Sequence, residues 1–125
     1  NEKAEQLLNF VGLYQKRKLR AGDLSFGQQK LLELAMALMN EPKMLLLDEP
    51  TAGINPTLIN GIIDRLIKVN HEFGITLLVI EHNMRVIMSL AKHIFCLAHG
   101  QLIANGKPEE IKNDQRVIDA YLGVQ

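Results

Sequence analysis

The sequence predicts an α/β fold in which a parallel sheet is flanked by helices, and three observations carry that expectation. Met44–Leu47 and Ile75–Ile80 are continuous apolar runs of strand length, the pattern of strands covered on both faces. Between them, Leu58, Ile59, Ile62, Ile63, Leu66 and Ile67 recur on one helical face. Strand, helix and strand in that order make a right-handed βαβ unit.

Each element carries its own boundary signals. Glu2 to Phe10 reads as a short helix with Leu7, Leu8 and Val11 on its apolar side, followed near Gly12 by an exposed loop holding Lys16, Arg17, Lys18 and Arg20. Ser25 with Gln28 three residues on is a capping box. The helix it opens runs toward Pro42, with Leu31, Leu34, Ala35 and Leu38 on one face and Leu32, Met36 and Met39 widening it, so most of it should be buried. Asn55-Pro56 starts the next helix as N-cap and first-turn proline, and Gly74 closes it. A helix over Met84 to Ala91 precedes a strand at Ile94–Ala98, and His99-Gly100 reads as a two-residue turn into Gln101–Ala104. Two short helices end the chain: one begins at Pro108-Glu109-Glu110, and the other is built on Val117, Ile118, Tyr121 and Leu122.

Composition narrows the class without naming a partner. The 125 residues are 47% hydrophobic and 22% charged, in the range of a folded globular domain. Fourteen basic residues balance fourteen acidic ones, so no sequence-wide basic field exists and no nucleic-acid partner is expected. A lone cysteine, Cys96, inside an apolar strand is read as a small buried hydrophobe, and a chain without a disulfide framework suits a reducing, cytoplasmic compartment. No apolar run reaches the eighteen or so residues that would span a bilayer. A first residue of Asn1, opening directly into a helix, looks like a cut end.

Three sets of residues could carry chemistry. The first is Ser25-Phe26-Gly27-Gln28: a capped helix start offers free N–H groups and the positive end of the dipole, and Gly27 would let an anion approach the backbone closely. Taken alone, it is equally a plain helix cap. The second is Asp48-Glu49, just beyond a buried strand, where open α/β sheets bind ligands. In a nucleotide site Asp48 could hold Mg²⁺, usually through water, while Glu49 orients and deprotonates an attacking water. Charges also mark where any strand meets solvent. The third is His82, after the second strand; if the two strands are neighbours about 4.8 Å apart, it would share one rim of the sheet with the carboxylates. His71, His93 and His99 fit no metal-ligand spacing and are read as structural.

Order and spacing together resemble the ATP-binding cassette (ABC) ATPases, a branch of the P-loop NTPase fold. Leu24 to Gln28 looks like the family's signature loop, Met44 to Glu49 like its Walker B strand, Ala52-Gly53-Ile54-Asn55 like its D-loop, and His82 like its switch histidine. Gln28-Gln29-Lys30, the run Asp48 to Pro56, Glu81-His82-Asn83-Met84 and the endings Asn105 to Ile111 and Ala120 to Gly123 are similar to the ATPase subunits of branched-chain amino-acid importers. Lipopolysaccharide-export and urea-import ATPases share much of that ending. On this resemblance residues 1–24 are a remnant of the helical subdomain, and residues 25–125 are the C-terminal part of the ATPase core.

The resemblance implies two ATPase subunits, identical or different, that sandwich ATP and Mg²⁺ and work with integral-membrane permease subunits at the inner face of the cell membrane. Ser25, Phe26, Gly27 and Gln28 of one subunit would bind the γ-phosphate held by the other, with Asp48 positioning Mg²⁺ and Glu49 and His82 catalytic. Gly53 and Asn55 would lie at the seam. Phe26 stands where the family often has glycine, and Asn55 where it often has aspartate. No Gly-x-x-x-x-Gly-Lys-[Ser/Thr] occurs, and neither a base-stacking aromatic nor a Q-loop can be assigned. The isolated chain is therefore expected to bind ATP poorly, and the strand feeding the missing loop would belong between Ile75–Ile80 and Ile94–Ala98. A cassette ATPase that works away from membranes and a non-catalytic fragment that only supplies the signature helix are the alternatives.

Overall fold

The two apolar runs pair with each other. β1 (Met44–Asp48) and β2 (Thr76–Ile80) form a parallel ladder in which Met44 faces Thr76, Leu46 faces Leu78 and Asp48 faces Ile80. The chain falls into two units, Asn1–Ile80 and Glu81–Gln125, and the computed structural model describes residues 1–121.

In the first unit, α1 (Glu2–Phe10) is capped by Asn1, whose side chain accepts from the Lys3 N–H at 3.0 Å. The basic loop after it tightens into single 3-10 turns at Tyr14–Lys16 and Ala21–Asp23. Next come α2 (Phe26–Leu38), β1, α3 (Pro56–Phe73) and β2. Gly74 takes a φ of 66°, the left-handed conformation that closes α3, and the Asn70 side-chain amide donates to the Ile75 carbonyl at 2.9 Å to fix the turn into β2. The core holds Leu34, Leu38, Leu45, Ile62, Leu66 and Val69, the last fully buried. Burying a side chain such as Leu66 stabilises the unit by about 1.5–3 kcal/mol.

The second unit contains α4 (Met84–Leu90), capped by Asn83, the hairpin of β3 (Ile94–Ala98) and β4 (Gln101–Gly106), and the short helices α5 (Pro108–Lys112) and α6 (Gln115–Tyr121). His99 and Gly100 both have positive φ, 51° and 77°, which is what a two-residue turn matching the twist of the strands requires. The ladder shifts between Cys96 and Leu97, so Cys96 pairs with Ala104 but Leu97 with Leu102. Cys96 is buried, and burial, assisted by the Asp114 carboxylate, pushes its thiol pKa up, in keeping with an inert core cysteine. The Tyr121 hydroxyl donates to the Leu97 carbonyl; Leu122 and Gly123, part of the expected ending, lie outside the described residues.

Two burial expectations are corrected. β1 and β2 are not covered on both faces: Leu46 is 71% exposed, and Met44, Leu78 and Ile80 on the same face are exposed as well, while Leu45 on the opposite face is buried. The continuous apolar pattern is that of a two-sided strand, and only one side of it is covered here. α2 is likewise less buried than its pattern, with Met36 exposed on its outer side. Among the described residues β2 pairs only with β1 and β3 only with β4, and no strand joins the two sheets. No described helix is long and apolar enough to cross a membrane.

An open apolar sheet face of this kind drives association. Replacing Leu46 and Leu78 together with threonine keeps strand propensity and removes the apolar surface, so self-association of the chain, followed by sedimentation velocity, should weaken by at least about tenfold. Identical sedimentation of the two proteins would show that this face is not what sticks.

Candidate functional site

The start of α2 is built as its sequence requires. Ser25 is extended, its Oγ accepts the Gln28 N–H at 3.2 Å, and the Gln28 Oε1 accepts the Ser25 N–H at 3.1 Å. The box satisfies the third helical N–H but leaves those of Phe26 and Gly27, which have no carbonyl inside the helix to reach. With the positive end of a thirteen-residue helix behind them, these groups suit an anion. Ser25 is exposed and Gly27 is buried.

Gly27 meets a second requirement that the sequence reading did not identify. A Cβ there would come 3.1 Å from Leu58 Cδ1, so the glycine lets the first turn of α2 close on the first turn of α3. A signal was present: glycine inside a helix costs about 0.5–1 kcal/mol relative to alanine, so it is kept where something packs against it. Leu58, assigned to the buried face of α3, is instead half-exposed and fills that gap.

Phe26 is also half-exposed, and its ring lies against Gly53: the position of a Cβ on Gly53 is 3.2 Å from Phe26 Cε1. Lys30 Nζ sits 5.4 Å from the centre of the same ring. Gly53 has a φ of 71°, in the middle of a turn that runs from Glu49 to Asn55. In that turn the Ala52 N–H donates to the Glu49 carbonyl at 3.0 Å and the Ile54 N–H to the Thr51 carbonyl at 3.2 Å, while Thr51 and Ile54 are buried. Asn55 ends it as the cap of α3, accepting from the Thr57 N–H at 3.1 Å and the Thr57 hydroxyl at 3.0 Å.

The carboxylates stand where the sequence expects them. Asp48 is the last residue of β1, exposed, opposite Ile80. Glu49 follows with a φ of 48°, a left-handed conformation that non-glycine residues seldom adopt, and its N–H donates to the Ile80 carbonyl at 2.7 Å. Backbone held in a sparsely populated region clusters at functional sites. His82 belongs to the second unit, exposed and two residues along the chain from the Ile80 that pairs with Asp48. The first unit thus brings the ring of Phe26, at the capped start of α2, onto Gly53, sets Gly27 against Leu58, and joins Gly53 to Glu49 through one turn.

Among the described residues no cluster of three or more His, Cys, Asp or Glu could hold a metal by itself. A single exposed carboxylate such as Asp48 fits Mg²⁺, which keeps much of its water and takes one or two carboxylates alongside phosphate oxygens.

Comparison with known proteins agrees over nearly the whole chain. The "ABC transporter" family profile matches residues 1–52, and that of "Branched-chain amino acid ATP-binding cassette transporter" matches residues 101–125. A probable branched-chain amino acid transport ATP-binding protein LivG from Archaeoglobus fulgidus is 40% identical over 124 residues, covering 99% of this chain and 48% of that protein. The high-affinity branched-chain amino acid transport ATP-binding protein BraF of Pseudomonas aeruginosa is 40% identical over 122 residues, covering 98% of this chain and 48% of that protein. Among solved structures, the ADP conformation of an ATP-binding cassette of an ABC transporter superposes with a TM-score of 0.87 at 36% identity, covering 98% of this chain and 50% of that one. A nucleotide-free cassette superposes with a TM-score of 0.86 at 39% identity, again over 98% and 50% of the two chains. The chain spans about half the length of the curated relatives it matches.

The left-handed turn at position 49 makes a prediction about stability. Glu49→Gly and Glu49→Ala both delete the side chain, but only glycine adopts this φ without strain, so the glycine variant should be more stable by about 1 kcal/mol in urea unfolding. Equal midpoints and slopes would show that Glu49 is not held in the strained conformation.

Proposed function

Because the chain belongs to the family of ABC transporter ATP-binding proteins, we propose that it contributes to an ATP-hydrolysing subunit of an importer for branched-chain amino acids. The observation that carries this reading is that one unit of the fold holds both an anion-ready helix tip at Ser25 and an acidic strand end at Asp48-Glu49. On this proposal residues 1–24 belong to a helical subdomain, and residues 25–125 form the C-terminal part of the ATPase core.

Two such subunits face each other. The Ser25 hydroxyl, the N–H groups at the start of α2 and the Gln28 amide bind the γ-phosphate held by the opposite subunit. In its own subunit Asp48 would hold Mg²⁺, and Mg-ATP, when bound, would supply the phosphoryl group and the charge that these donors neutralise. Glu49 orients the attacking water and accepts its proton, a role worth about 10²–10⁴ in rate. His82, assigned by the family resemblance, donates to the γ-phosphate. Gly53 and Asn55 lie at the seam, and the subunits dock on permease subunits at the inner face of the cell membrane.

A second reading, in which the chain alone supplies only the helix tip, is favoured by the absence of Gly-x-x-x-x-Gly-Lys-[Ser/Thr] from its sequence. Both readings meet in one assay. Mixing the chain with an intact ATPase subunit whose own signature loop is inactivated should restore ATP hydrolysis. Ser25→Asp keeps the helix cap but places a negative charge before the phosphate, and should reduce the rescue at least about tenfold. Glu49→Gln should leave it within about twofold, because Glu49 serves the other phosphate; a loss as deep as that of Ser25→Asp would contradict the assignment of the two residues to opposite sites. Absence of rescue by the unmodified chain would refute the proposal.

A further inference from the structure

One of the two residues that depart from the family's usual pattern is also the one that joins two loops with separate tasks. Phe26 is the first residue of α2, on the helix tip read above as an anion site, yet its ring turns onto Gly53, with Cε1 3.2 Å from where a Cβ would stand. The contact is possible only because position 53 lacks a side chain, and the φ of 71° there independently calls for glycine. Beyond Gly53 the backbone runs straight to the carboxylates, since the Ala52 N–H is bonded to the Glu49 carbonyl and the Glu49 N–H to the Ile80 carbonyl. The ring therefore links the α2 tip to the turn that holds Glu49.

We propose that the Phe26 side chain has a positioning role: while the backbone N–H belongs to the anion site, the ring, rather than touching nucleotide, fixes the Glu49–Asn55 turn against the tip of α2. This deepens the proposed function and rests on its reading that the tip and the turn both lie at a seam between subunits. A small residue at position 26 would leave the tip joined to the far end of the turn only through Gly27 and Leu58, whereas the ring makes a shift at the tip a shift at Gly53. Lys30, over the same ring, restrains it from leaving Gly53.

The test has two arms, both using the chain as it stands and the variants Phe26→Ala and Phe26→Tyr. In the first, amide hydrogen exchange is read by NMR at Ala52 and Ile54 in the turn and at Gln28 in the cap. Phe26→Ala should speed exchange at Ala52 and Ile54 by about tenfold, Phe26→Tyr should hold both within about twofold of the unmodified chain, and Gln28 should change in neither variant. Rates at Ala52 and Ile54 that stay within twofold in Phe26→Ala overturn the proposal. The second arm is the rescue of ATP hydrolysis described above. Phe26→Ala should lower kcat by about tenfold at a KM within twofold, with Phe26→Tyr restoring kcat, whereas a nucleotide contact made by the ring would move KM and overturn the positioning role. If the unmodified chain gives no rescue, the proposed function falls, and the exchange arm alone decides whether Phe26 positions the turn.

Discussion

The parallel pairing of β1 and β2, closed at its end by the Glu49 N–H on the Ile80 carbonyl, is the constraint on which the rest of the first unit depends. Pairing carries Asp48 to the last rung of the ladder, and Glu49, its N–H on the Ile80 carbonyl, takes a left-handed conformation one residue later. A backbone hydrogen bond contributes roughly 0.5–1.5 kcal/mol net, about the size of the conformational cost it offsets. From that point the chain cannot continue as a strand. It turns through Thr51 and Gly53, buries Ile54, and delivers Asn55 as the cap of α3, whose Leu58 then meets Gly27 at the head of α2. The helix tip and the strand end are thus fixed relative to each other by one short turn and two glycine contacts.

Much of this was legible in the sequence because it is local. The capping box at Ser25 and Gln28, the Asn55-Pro56 start, the Gly74 stop and the His99-Gly100 turn each follow from what one or two side chains can do for nearby backbone, and each is present. The pairing of β1 with β2 followed from two apolar runs joined by a helix. The Phe26–Gly53 and Gly27–Leu58 contacts were not legible in the same way, since nothing in the spacing of residues 26, 27, 53 and 58 says which side of a helix faces which turn. The conformation of Glu49 was hidden too, because glutamate gives no sign of a positive φ. The shift in the β3–β4 ladder, which leaves Ile103 between the pairs Cys96–Ala104 and Leu97–Leu102, likewise depends on pairing rather than on composition.

The burial of the strands separates pattern from environment. Leu46, Leu78 and Ile80 in the first unit, and Phe95 and Leu97 in the second, are written as core residues and are exposed. The sequence states correctly that these strands have two apolar sides, but how many of those sides are covered is a property of what packs on them. Surfaces of this kind invite association, and they set a requirement on any assembly in which the chain works: its partner segments must cover them without obstructing the Ser25 tip or the Asp48-Glu49 end.

The central claim is that the tip of α2 addresses a phosphate held by another polypeptide. The most direct measurement is paramagnetic relaxation of the isotopically labelled chain, mixed with an unlabelled ATPase subunit that binds manganese-ATP. The amides of Phe26, Gly27 and Gln28 should broaden selectively, and only when the nucleotide-binding subunit is present, with the amides of α1 unaffected. Uniform broadening, or tip amides that stay sharp while others broaden, would contradict the account.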